Sequence, residues 1–268
     1  MKKLLIILLI LGIQQVKSQS MEIGIFGGGA YYVGDLNPHY HFLNTDIAYG
    51  GLIRYFENKR WAFRGQFTYG KIKGNDASSG FMPERQLSFK SNIYEISIVS
   101  EFNFIPYFTG SVKDVFAPYI FAGFSGFYHR PTLGGVSLKD MNTEGEGGII
   151  LDKEGHRVYS LYQVAIPFGF GFKYSFSGNF AVSMEWGLRR TFTDYLDDVS
   201  TEYYLSSSTI GSGDSNYGNI HISDPSMNHE PSMQRGIKAS QDWYSFAGVS
   251  LFYRFNLSKR GKCSTFDN

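Results

Sequence analysis

The chain has 268 residues, one or two domains' worth, and carries 25 Lys+Arg against 24 Asp+Glu. That balance implies no basic face for nucleic acid. A single Cys excludes an intrachain disulfide framework or a Cys-rich zinc site. Aromatic residues reach 17% and glycines number 31, a bias toward strands and turns rather than helices.

Residues 1–18 open with Met-Lys-Lys, continue with an apolar run from Leu4 to Leu11, and end on Ser18. This is the pattern of a cleaved secretory signal, with Val16 and Ser18 ahead of the cut. The run is too short to cross a hydrocarbon core of about 30 Å as a helix. No later stretch is long and apolar enough either, so the mature chain is expected to be soluble beyond the inner membrane or to cross a membrane with strands.

Alternation with period two decides between these. Weaker alternating runs cover Ile23 to Val33, Asp46 to Phe56 and Phe116 to Tyr128. Strong ones are Trp61-Phe63-Phe67-Tyr69, Tyr94-Ile96-Ile98, Tyr162 through Tyr174, Phe180 through Leu188, and Ala247 through Phe255. Eight strands follow, or ten if the last long connection holds a further hairpin. In each strand one face carries large rings and aliphatics while the other carries Gly, Ala, Ser and isolated charges. A soluble barrel would need polar outward positions; large apolar residues there suit lipid.

The connections alternate as well. Short ones (57–60, 107–114, 175–178) separate long ones (34–44, 74–89, 130–157, 197–240). The expected fold is an all-β, antiparallel transmembrane β-barrel of the bacterial outer membrane, with short periplasmic turns and long external loops. The expected division is a signal peptide over 1–18, the barrel over 19–256 and a periplasmic tail over 257–268.

Candidate chemistry is sparse. Glu22, Arg54, Arg64, Glu95, Glu101, Lys173, Glu185, Arg189 and Arg254 fall on lumen positions. An eight-stranded barrel is just wide enough for side chains, so these are expected to pair as a filling ion network rather than line a pore. Asp194, Asp197 and Asp198 offer oxygen ligands for Ca²⁺, but without the Gly turn of a calcium loop they are better read as pairing with Arg189 and Arg190. His39 and His41 sit two apart in a loop but lack a third metal ligand, and are expected to be exposed loop histidines. His129 lies at the outer rim, where a membrane hydrolase would need a Ser or Asp beside it. Gly27-Gly28-Gly29 lacks the helix and Lys of a phosphate loop and reads as strand. No catalytic residue, metal, cofactor or small-molecule substrate is expected.

Three motifs point further. Glu22-Ile23-Gly24 runs through to Gly34-Asp35-Leu36-Asn37; a second segment runs Arg189-Arg190-Thr191-Phe192-Thr193-Asp194-Tyr195-Leu196-Asp197-Asp198-Val199-Ser200; Arg235-Gly236 precedes Asp242-Trp243-Tyr244. Together these resemble the PorG family, outer-membrane barrels of the type IX secretion system in Bacteroidota. The resemblance implies a non-enzymatic component of protein export and gliding motility that contacts the periplasmic ring of PorK and PorN. It brings no catalytic residues. The residues expected to face that ring are Lys59, Arg60, Lys113, Arg260, Lys262 and Cys263. Two other classes are open: a stand-alone adhesion or stability barrel binding through its loops, and a membrane-embedded hydrolase.

Overall fold

The computed structural model describes residues 20–141, 143, 150–151, 157–200, 202–203, 221–230, 232–237 and 241–256. The proposed signal and tail, with Arg260, Lys262 and Cys263, lie outside these. Eight long strands run in chain order: β1 (Ser20–Val33), β2 (Asp46–Phe56), β3 (Trp61–Asn75), β4 (Ser88–Asn103), β5 (Phe116–Leu133), β6 (Tyr162–Ser177), β7 (Phe180–Thr191) and β8 (Trp243–Asn256). Each pairs antiparallel with its sequence neighbours, and β1 pairs with β8 from Ser20↔Asn256 to Val33↔Trp243. The result is a closed antiparallel β-barrel of eight strands. Closure removes the sheet edge, as a lipid surround demands. The two-residue strands at Val136–Ser137, Ile150–Leu151 and Arg157–Val158 lie in the third long connection and add none to the barrel.

The two faces follow from period-two alternation. Ile23, Ile25, Ile53, Phe63, Phe67, Ile96, Ile98, Phe124, Phe170, Phe172, Met184 and Leu251 all face out and are exposed. Water would not tolerate so continuous an apolar band on a soluble domain, whereas hydrocarbon does. Above it, toward the long connections, five tyrosines form a belt at one height across β2 to β6. Ring centres are 5.1 Å apart for Tyr49–Tyr69, 5.1 Å for Tyr69–Tyr94, 6.2 Å for Tyr94–Tyr128 and 5.0 Å for Tyr128–Tyr162. Such belts sit at the membrane–water interface.

Beyond the belt β3 and β5 continue past Tyr69 and Tyr128, where the sequence pattern fades. The reason is a change of surroundings. Outward positions there are Lys71, Lys73 and Arg130 instead of rings, while Ile72 and Phe89 point inward.

Rings also fill the interior, contrary to the expectation that they sit on the lipid side. Phe26, Tyr119, Phe121, Phe127, Tyr244, Phe246 and Phe252 are buried in the lumen. Glycines opposite make room. A Cβ at Gly70 would come within 2.6 Å of Phe246, and one at Gly187 within 2.6 Å of Phe121.

The turn between β4 and β5 tucks back into the barrel. Tyr107 and Thr109 are fully buried, and Gly110 holds a φ of +83°. A Cβ at Gly110 would sit 2.2 Å from the Gly178 carbonyl oxygen. Gly110→Ala is therefore expected to destabilise the barrel by more than the roughly 1–2 kcal/mol of left-handed strain alone. A urea midpoint unchanged from the parent would show that the turn relaxes freely.

Candidate functional site

The lumen holds two ion networks. In the larger, Glu101 lies 2.9 Å from Arg54 Nε, 3.1 Å from Arg64 Nε and 2.5 Å from Lys173 Nζ. Arg54 also donates to Glu22 at 2.9 Å, and Arg64 pairs with Glu185. Tyr119 donates its hydroxyl proton to Glu185 at 2.7 Å, and Lys173 donates to Asn103 Oδ1 at 2.8 Å. In the smaller network Arg189 Nε lies 3.2 Å from Glu95, which also accepts from the Tyr244 hydroxyl at 2.7 Å. Rings cover the cations: Arg54 stacks 3.8 Å from the centre of Phe252, and Arg189 4.5 Å from that of Phe246. Four carboxylates thus balance four cations in a space closed to solvent. Buried charges persist only when matched in this way.

Arg254 departs from the expected network. It is half-buried at the turn end, donates to the Thr109 carbonyl and to Asn179 Oδ1, and makes no carboxylate pair among the described residues. That end is sealed by the tucked turn, where Thr109 donates to Glu22 and meets the Tyr107 hydroxyl at 3.1 Å.

The loop end is sealed by a second plug, and the distinctive sequence segments converge in it. Gly34 and Asn37 bond each other through their backbones at 2.9 and 3.1 Å, and the Asn37 side chain donates to the Tyr32 and Tyr40 carbonyls. Asp35 Oδ2 accepts from the Ile237 N–H at 2.9 Å, and Leu36 is fully buried. Arg85 ties three loops together: it pairs with Asp76 at 2.6 Å and donates to the Asp35 carbonyl at 3.0 Å and the Arg235 carbonyl at 2.5 Å. Arg235 in turn donates to the Asp198 carbonyl at 2.6 Å. Two motif glycines are explained by contact alone. A Cβ on Gly34 would lie 2.0 Å from Asp242 Oδ1, and one on Gly236 would lie 2.5 Å from Asp35 Oδ2.

The aspartates after β7, read from the sequence as partners of Arg189 and Arg190, do not pair with them. Asp194 accepts from Ser200 Oγ at 2.9 Å. Asp197 accepts from the Tyr32 hydroxyl and the Val199 N–H. Asp198 accepts from Tyr159 at 2.6 Å and from Thr143. Arg189 instead turns inward to Glu95, and Arg190 is exposed. Thr191 donates to the Asp242 carbonyl at 2.5 Å, Thr193 Oγ1 accepts from the Tyr195 N–H, and Tyr195 stacks on Tyr159 at 4.8 Å. No cluster of three metal-ligating side chains occurs among the described residues.

Tyr32 also reaches Asp242 Oδ1 at 3.0 Å, so one hydroxyl faces two carboxylates. Burial, and then the charge of the neighbouring carboxylates, lifts both Asp197 and Asp242 well above the usual carboxylate range. Tyr32, Asp76 and Arg85 carry the plug yet carry no motif that marks them: the partners of Tyr32 and the carbonyls that Arg85 reaches lie far away in sequence, and the Asp76–Arg85 pair spans nine residues of one loop.

The histidines divide. His39 packs against Phe81, whereas His41 meets the Tyr31 hydroxyl at 3.1 Å and the edge of Trp186, so the two do not converge. His129, expected at the outer rim, is fully buried. It lies between Phe127 and Tyr159, and neither ring nitrogen has a side-chain hydrogen-bond partner among the described residues. A Ser-His-Asp trio does form at Asp224, Ser226 and His229, with 2.8 Å from Asp224 to His229 and 3.2 Å from Ser226. Both contacts fall on the same nitrogen, Nδ1, whereas a catalytic relay uses opposite sides of the ring.

The remaining candidates lie on the turn face. Lys59 pairs with Asp114 at 3.1 Å, Arg60 donates to the Phe104 carbonyl at 2.8 Å, and Lys113 is exposed. Beside them Val112 is 95% exposed, with Phe104 and Ile105 about half exposed.

Comparison with known proteins gives a family and a set of likenesses. No curated protein matches the chain. Among solved structures, the N-terminal β-barrel domain of Pseudomonas aeruginosa OprF is similar at 15% identity and a TM-score of 0.39, covering 88% of this chain and 97% of that one. Yersinia pestis Ail, the attachment invasion locus protein, is similar at 10% identity and a TM-score of 0.42, covering 89% and 100%. Pseudomonas aeruginosa outer membrane protein OprG is similar at 9% identity and a TM-score of 0.40, covering 89% and 96%. Residues 1–216 match the model of one family, and the chain accordingly belongs to it: DUF6089, a domain of unknown function.

Proposed function

We propose that this barrel is a non-enzymatic component of the type IX secretion machinery in the outer membrane, exported by residues 1–18 and touching a periplasmic ring through its short turns. One observation carries the reading: side chains plug the lumen at both ends. A filled barrel does its work through its surfaces, not through a channel. The turn face offers such a surface, with exposed Val112, Phe104 and Ile105 set among Lys59, Arg60 and Lys113. Apolar anchors rimmed by charge are the usual build of a protein contact. The resemblance of the Gly34–Asn37, Arg189–Ser200 and Asp242–Tyr244 segments to the PorG family supports the PorK and PorN ring as the partner.

The test is photocrosslinking in whole cells from position 112 or 113. The expected adduct contains the ring lipoprotein, and deleting residues 257–268 should lower its co-purification. Adducts from loop positions with none from the turns would reject the periplasmic contact and favour an adhesion role.

A further inference from the structure

On the outer wall, Lys73 of β3 stands directly opposite Lys90 of β4. Like charges facing each other across strands destabilise a sheet. Lys71 and Arg130 flank them on the same outward face, two residues beyond Tyr69 and Tyr128 of the belt. Among the described residues two carboxylates answer these four cations: Asp46 lies 3.3 Å from Lys73, and Asp140 lies 2.9 Å from Arg130. Lys71 and Lys90 make no ion pair among the described residues.

A cavity of about 410 Å³ opens between these strand ends. Lys73 and Lys90 both line it, together with Asn75, Ser78, Ser88 and Thr132. Cationic amines beside hydroxyls and amides suit a phosphate carried on a sugar or other polyol. Height supplies the last element. At about 3.4 Å per residue, Lys71 and Lys73 stand roughly 7 and 14 Å along the strand beyond Tyr69. Strand tilt of about 40° shortens this to roughly 5 and 10 Å along the membrane normal. The headgroup layer outside the hydrocarbon is about 5–7 Å thick, so Lys71 stands within it and Lys73 and Lys90 just above it, from where their long side chains reach down to a headgroup phosphate.

We propose that this wall binds the phosphorylated headgroup of a membrane lipid in the leaflet on the side of the long connections, with Lys73 and Lys90 on the phosphate and Lys71 and Arg130 flanking it. The bound anion offsets the Lys73–Lys90 repulsion, which Asp46 alone answers on the Lys73 side. The acyl chains then run down over the tyrosine belt and the apolar band, which a free phosphate would not use.

The experiment refolds the full chain into phosphatidylcholine vesicles with or without a minor fraction of lipid A, a phosphorylated disaccharide lipid. The readout is the temperature at which the compact, heat-modifiable gel band is lost. Lipid A should raise that temperature. The K73Q/K90Q double variant should abolish the rise, with lipid affinity about thirtyfold weaker at about 1 kcal/mol per cation. The K73R/K90R variant, which keeps both charges, should restore the rise, and the K59Q/R60Q variant at the other end should leave it intact. Inorganic phosphate added to phosphatidylcholine vesicles should have no effect. A full rise in K73Q/K90Q, no rise in the parent, or equal protection by inorganic phosphate would each overturn the proposal.

Discussion

Glu101→Ala is expected to cost the barrel roughly 3–5 kcal/mol, the largest effect of any single lumen substitution. Glu101 is the shared partner of Arg54, Arg64 and Lys173, all fully buried. Removing it leaves three cations answered only by Glu22 and Glu185. The loss is asymmetric, because breaking a buried pair costs far more than replacing the whole pair with apolar groups. Adding Lys173→Met to Glu101→Ala should therefore recover part of the stability, and the double-mutant cycle should show strong coupling. Urea unfolding of vesicle-inserted protein measures both. A loss below about 1 kcal/mol for Glu101→Ala would mean that water reaches the network and that the lumen is not sealed.

Asp197→Asn should stabilise the loop plug at neutral pH by roughly 1–3 kcal/mol. The Tyr32 hydroxyl has one proton and faces the carboxylates of both Asp197 and Asp242. Burial and like charge raise both acids in the folded state, so the folded plug retains a proton that the unfolded chain, titrating near 4, has already released. The sign follows. This contribution is complete below about pH 4 and is lost as the pH rises through the folded values. Parent protein should thus show faster amide exchange over residues 193–200 as the pH climbs from about 4, after correction for intrinsic exchange. Asn at 197 supplies a neutral group of the same shape and should flatten that slope. A slope identical in parent and variant would dissociate the pair from plug stability.

The strands were legible because lipid and lumen impose opposite demands on alternate residues. Phe63, Phe67, Ile96 and Phe172 announce the outer wall, while Arg54, Arg64, Glu101 and Lys173 announce the inner one. Interior rings were harder to read. Phe246 and Phe252 interrupt the small-residue face of β8, and only the glycines across the lumen, such as Gly70, explain their place. The loop plug was scarcely legible at all. Its bonds join Tyr32 at the end of β1 to Asp242 and Arg85 to Arg235, contacts between segments distant in sequence that no periodicity encodes. The segment 189–200 stood out in the sequence, yet its aspartates bind hydroxyls and backbone N–H groups rather than the neighbouring arginines. Choosing among such donors requires knowing which loops meet.

The tyrosine belt covers only β2 to β6. On the other flank the first loop lies down over the wall, with His41 and Phe42 packed on Tyr31 of β1 and Trp186 of β7. The cylinder therefore has a front and a back. A neighbour drifting in the plane of the bilayer meets phenols and lysines on one flank and a folded strap of backbone on the other. Rotation about the membrane normal is then no longer a free variable: a lateral partner that reads either flank would set the compass bearing of every turn beneath it.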